Sequence, residues 1–164
     1  MSVPASQMSA GNAPQQAQGG QPWMAGKYAA RTFFTYESDI VSTLNAGATQ
    51  NLSFNIAGDS DFFWTKFSTF GLVASAATTV SAVQAPAVTM LLINTTTGRQ
   101  YSSAPVPLMN VAGIEAGLPF ILPQITLWQA KATIQIQLLN EGNANYTNLH
   151  LSFHGIKAFT SSSS

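Results

Sequence analysis

Hydrophobic and polar residues alternate with a period of two over much of the chain beyond Ala30. Asn51 to Ala57 sets Leu52, Phe54 and Ile56 on one face against Asn51, Ser53 and Asn55 on the other. Thr133 to Leu139 sets Ile134, Ile136 and Leu138 against Thr133, Gln135 and Gln137. Leu149, Leu151 and Phe153 alternate with His150, Ser152 and His154, and the pattern continues through Gly155 to Phe159. Arg31 to Tyr36 (RTFFTY) is aromatic and β-branched, which suits a half-buried strand. Phe62 to Phe70 (FFWTKFSTF) is a denser strand, with Phe62, Trp64 and Lys66 expected on one face and Phe63, Thr65 and Phe67 on the other. Bulk on both of its faces predicts burial from two sides.

Turn chemistry separates these runs. LNAGATQ (Leu44 to Gln50) and AGDSD (Ala57 to Asp61) close two of them. The Thr-Thr-Thr-Gly run at Thr95 to Gly98 follows a strand over Val88 to Asn94 and lets Arg99 to Ser102 return beside it. Asn140 to Asn145 joins the last two strands through Asn and Gly, residues that tolerate the positive φ of tight reversals. Roughly eight short strands result. Helical signals are confined to short turns near Asp39 to Leu44 and Val111 to Ala116. The fold class is therefore all-β, an antiparallel β-sandwich for which the eight-strand jelly roll fits best by strand count, with an immunoglobulin-like sandwich second.

The first part of the chain differs. SVPASQMSAGNAPQQAQGGQP, within Met1 to about Gly26, has no charge and no apolar period, a composition that does not offset the entropy of ordering. Residues 1–29 thus read as an extended low-complexity N-terminal arm, residues 30–160 as the sandwich domain and 161–164 as a Ser tail. Trp23, Met24 and Tyr28, where the arm meets the domain, are the residues expected to anchor it on a partner. Met1 to Gly20 lacks the basic start and apolar stretch of a signal peptide. The uncharged run from Phe67 to Gly98 is broken by Ser75, Thr78, Thr79, Ser81, Gln84 and Pro86, so it reads as two strands and a loop instead of a membrane span.

Composition narrows the function. The 164 residues include six Lys+Arg, six Asp+Glu and only 7% charge in all, against 46% apolar and 10% aromatic. Typical soluble domains carry about 25% charge. Zero net charge supplies no counterion-release term for nucleic acid and no polybasic patch for an anionic membrane, so neither is expected as a partner. No Cys is present, which excludes a Cys nucleophile, and neither a GxSxG elbow nor a GxxxxGK[ST] phosphate loop occurs. Glu37, Asp39, Asp59, Asp61, Glu115 and Glu141 mostly adjoin turns, where acids are solvated, and no enzyme activity is expected. His150 and His154 lie roughly 13 Å apart on a strand, too far to share a metal ion. Asp59 and Asp61 fall short of the six to eight oxygens that calcium takes, and they read as turn residues. No metal or cofactor is expected.

The order FFTYESDI, LNAGATQNLSFNIAGDSDFFWTKF, INTTTGRQYSSAPVPLMNVAG, PFILPQ and ATIQIQLLNEGNANYTNLHLSFHGIKAF resembles small accessory virion proteins of tailed bacteriophages, in particular head cement or decoration proteins. The likeness runs from about Phe33 to Phe159 and lies in the order of strands and turns, with no diagnostic motif through which a functional residue transfers. It implies a jelly-roll domain with a terminal arm. It also implies a homo-oligomer on the capsid surface of the virion, bound to the major capsid protein or other virion proteins and bracing the shell. A neck, collar, tail or fibre-attachment component would share these features. A carbohydrate-binding module is the third reading, with Trp64 and Trp128 as the stacking platform.

Overall fold

The computed structural model describes residues 27–74, 81–82, 87–114 and 118–160. Most of the arm, including Trp23 and Met24, together with Glu115 and the Ser tail, lies outside these residues. The described chain forms β1 (Tyr28–Glu37), β2 (Val41–Leu44), β3 (Thr49–Asn55), β4 (Ser60–Ala74), β5 (Ser81–Ala82), β6 (Val88–Asn94), β7 (Arg99–Gln100) and β8 (Val106–Pro107). One helical turn, α1 (Leu108–Val111), precedes β9 (Gly113–Ile114), β10 (Phe120–Trp128), β11 (Thr133–Asn140) and β12 (Asn145–Thr160). Among the described residues, no helix is long and apolar enough to cross a membrane.

Two sheets result. One runs β1-β12-β4-β10, with β2 completing the β1 edge and the short β5 and β9 completing the β10 edge. The other runs β3-β11-β6, with β7 and β8 sharing its last edge. Counting β1 with β2, β5 with β4, β7 with β8 and β9 with β10 leaves eight strands, and every connection between them crosses from one sheet to the other except β6 to β7, a hairpin through the predicted Thr95 to Gly98 turn; this is the double Greek key of a jelly roll. Sheet neighbours distant in sequence make the fold depend on non-local pairing.

Aromatic rings fill the space between the sheets. Trp64 stacks on Trp128 at 5.0 Å and Phe67 on Phe153 at 4.7 Å, while Phe54 closes the group from the second sheet. Both buried indoles are satisfied: Trp64 Nε1 donates to the Lys66 carbonyl at 2.8 Å and Trp128 Nε1 to the Tyr101 hydroxyl at 2.7 Å. Apolar burial on this scale is the main stabilising term, at about 1.5–3 kcal/mol per large side chain.

One irregularity reassigns the β4 faces. His154 pairs with Lys66 but Gly155 pairs with Trp64, so Thr65 is a bulge residue. Phe67 therefore returns to the face of Phe62 and Trp64, whereas strict alternation expected it beside Phe63. Gly155 makes the bulge possible, because a Cβ there would sit 2.1 Å from the Phe63 carbonyl oxygen. Phe63 faces outward and is closed over by its neighbours, but Lys66 on the same face is exposed, so the expected burial of β4 from two sides holds only in part.

Two local expectations fail. The turn expected over Asp39 to Leu44 is an extended segment ending in β2, which pairs with β12 through Leu149↔Val41 and Tyr146↔Leu44. Val41 and Leu44 are both buried, as are their partners Leu149 and Tyr146, between which Asn148 takes a φ of 51°, and their three-residue spacing imitates a helical stripe. The other expected turn, over Val111 to Ala116, begins earlier, at Leu108, where Pro107 starts it and fully buried Leu108 anchors it. In the Asn140 to Asn145 loop the work is done by side-chain bonds. Asn140 Nδ2 donates to the carbonyls of Leu44, Asn45 and Ala144, and its Oδ1 accepts from Gly142 N–H. Positive φ occurs instead at Gly47, Gly98, Lys131 and Asn148.

Two glycines separate sterics from backbone preference. Gly155→Ala is expected to cost about 3 kcal/mol or more in chemical denaturation, because only backbone movement relieves the clash. Gly47→Ala, with open space around it but φ 72°, should cost about 1–2 kcal/mol.

Candidate protein-contact surface

The pairing register places apolar side chains in a line across the outer face of the first sheet. Phe33 lies opposite Ile156, Ile156 opposite Phe63, and Phe63 opposite Leu127, so one residue from each of β1, β12, β4 and β10 contributes. Directly opposed residues on neighbouring strands share a face and touch. The middle of the line is closed, with Phe63 only 1% exposed, and Tyr28, Ile125 and Ala158 pack around it. Its ends are open: Phe33 is 68% exposed and Leu127 40%. The next row reads Thr35, His154, Lys66 and Ile121, and Ile121 is also exposed. The result is a ridge of apolar groups on a face with no access to the core.

An anchor pins the beginning of β1 beside this ridge. Tyr28 sets its ring edge-on to Phe63 at 5.5 Å and donates its hydroxyl to Asp61 Oδ2 at 2.8 Å. Lys27 Nζ reaches the same oxygen at 2.9 Å, and Asp61 Oδ1 accepts from the Ala130 backbone N–H. Burial works to raise the Asp61 pKa, but the Ala130, Lys27 and Tyr28 donors outweigh it and hold the carboxyl below its usual range. Burial, followed by the bond to Asp61, raises the Tyr28 phenol, and the bond to Asp61 raises the Lys27 ammonium. Of the three expected partner-binding residues, Tyr28 is thus committed to its own domain, while Trp23 and Met24 fall outside the described residues.

The other singled-out residues have structural roles. Trp64 and Trp128 are 6% and 0% exposed, so the platform expected for a carbohydrate-binding module is inside the core. Their hydrophobicity, high in any environment, carried no sign of which face they occupy. His154 is held between the Thr35 and Ser68 hydroxyls at 2.9 and 2.8 Å, and His150 stacks on Phe70. Asp59 accepts from the Ser60 hydroxyl. Among the described residues, no group of three or more His, Asp or Glu side chains could hold a metal ion. Sequence alternation gave no warning of the ridge, because its members come from four strands whose register only the sheet defines.

The Asp61 anchor gives a pH test. Asp61→Ala should destabilise the domain by about 1–2 kcal/mol at neutral pH, since two part-buried donors, the Tyr28 hydroxyl and the Ala130 N–H, lose a charged acceptor. Lys27, whose side chain is 58% exposed, should matter by less than about 1 kcal/mol when replaced by Ala. Because the folded-state pKa of Asp61 is depressed, its contribution is present above the ordinary Asp value and fades as pH falls through the folded value. Wild-type and Asp61→Ala stabilities, followed by urea denaturation, should converge in acid.

No family model matches the chain, and no curated protein matches it. Among solved structures, dimeric latent PorU from Porphyromonas gingivalis is similar over 80% of this chain and 13% of that one, at 13% identity and a TM-score of 0.38. The infectious bursal disease virus VP2 subviral particle is similar over 81% of this chain and 42% of that one, at 11% identity and a TM-score of 0.33. The chain therefore spans less than half the length of either. Superpositions this partial carry no weight for function.

Proposed function

We propose that this chain is a structural virion protein that binds the capsid shell as a cement or decoration subunit, acting by protein contact and catalysing no reaction. The observation that carries the reading is the outward apolar ridge from Phe33 to Leu127 on a sandwich whose core is already filled by its own aromatic residues. Such a ridge gains by being covered, and the low overall charge keeps the desolvation cost of a large interface small. Copies of a chain with no net charge also do not repel one another.

The sheet edges favour contact through the face. Pro123 interrupts β10, and a strand lacking a backbone N–H is a poor template for edge-to-edge growth. Residues 1–26, read from the sequence as an arm, add a second contact in this account, and tethering of that kind raises avidity by roughly 10² to 10⁴. The resemblance to phage head proteins points to the same role and names the major capsid protein as the partner.

Immunogold labelling of purified particles from cells producing the chain tests this. Label spread over the capsid faces is the expected result. Label confined to a neck or tail would transfer the reading to an attachment component, and absence of the protein from particles would overturn both.

A further inference from the structure

A cleft opens along the edge of the sandwich where β10 of one sheet faces β7 and β8 of the other. Its origin is again a break in pairing: between Ile121↔Lys66 and Thr126↔Trp64, residues Leu122 to Ile125 bow away from β4 opposite the single residue Thr65. Pro123, which has no N–H for the ladder, sits within the bow. Behind it lies a cavity of about 390 Å³ whose accessible apolar lining is Val106, Val111, Phe120 and Leu122, over the buried Trp64 and Phe67. A groove of about 630 Å³ adjoins it, lined by Asn94, Thr97, Gln124 and Gln129. Arg99 and Tyr101 border both.

The hydrogen bonds of Tyr101 define what the junction offers. Its phenol oxygen accepts from Trp128 Nε1 at 2.7 Å, and the phenol also bonds with the Asn94 side chain, whose Oδ1 accepts from the Thr97 N–H. Burial raises the Tyr101 pKa, so the phenol keeps its proton. The Arg99 guanidinium lies 5.4 Å from the centre of the Tyr101 ring and makes no ion pair among the described residues. Neither cavity has an acidic residue in its lining.

A cationic donor thus stands where an apolar cavity meets a polar groove. We propose that this edge cleft binds a medium-chain fatty acid, its alkyl chain along Val106, Val111, Phe120 and Leu122 and its carboxylate on Arg99. Both the cavity size and the pairing of an apolar wall with a few fixed polar groups are those of small-molecule sites. A neutral sugar would find donors but an apolar wall facing its hydroxyls. The proposal does not rest on the assembly reading and fails or stands without it.

Calorimetric titration of the full chain with decanoate tests the site, with the Trp128 indole N–H followed by NMR because it donates to Tyr101. Saturable binding with a shift of that resonance is expected. Arg99→Gln, an exposed position whose replacement should leave the melting temperature unchanged, should weaken binding roughly 10- to 100-fold, the loss of a charged hydrogen bond. Decanol should bind more weakly than decanoate by a similar factor. Absence of saturable binding, equal affinity in Arg99→Gln, or equal affinity for decanol would each overturn the proposal.

Discussion

The close approach of Gly155 to the Phe63 carbonyl is the constraint on which the rest of the domain depends. It accompanies the step of Thr65 out of register with β12, which only a glycine at 155 permits, and that single step decides which aromatic residues face in and which face out. Phe67 turns inward to stack on Phe153, Trp64 meets Trp128, and Phe63 is left on the outer face. At the same level β10 bows away from β4, which opens the edge cleft. Core, outer ridge and cleft are three consequences of one bulge.

Magnitudes set the scale of the proposed interface. Covering a large exposed apolar side chain contributes about 1.5–3 kcal/mol, so its two open ends supply a few kcal/mol between them. A stable protein contact buries about 1,200–2,000 Å² in total, more than one line of side chains provides. In the proposed role the ridge is the central cluster of a wider contact, whose rim is the Ser, Thr, Asn and Gln surface that the composition requires. A rim of that kind excludes water without the desolvation cost of fixed charges. The anchored start of β1 lies directly beside that cluster.

Much of this was legible in the sequence. Alternation located β3, β11 and β12, and the Thr95 to Gly98 turn located the β6–β7 hairpin, because each signal is local. The inward face of Leu149, Leu151 and Phe153 was also readable. Features set by register were not. Nothing in FFWTKF marks Thr65 as a bulge, since the residue that permits it, Gly155, lies on another strand. Val41 and Leu44 imitated a helical stripe because both turn inward opposite Leu149 and Tyr146, a placement that only the pairing with β12 reveals. Trp64 and Trp128 looked available for stacking on a sugar because burial is a property of the assembled sheets. The anchor joining Lys27, Tyr28, Asp61 and Ala130 drew on a pair of acids that could be read only as turn residues.

Sedimentation equilibrium of the purified chain, beside a Phe33→Glu, Leu127→Glu double variant, tests most directly whether the ridge is a contact surface. The account predicts that the wild type self-associates with a constant that changes less than about threefold between about 0.05 and about 0.5 M salt, since the contact is not ionic. The double variant should be monomeric under the same conditions, with its melting temperature unchanged. A wild type that is monomeric throughout, or a double variant that associates as well as the wild type, would contradict it.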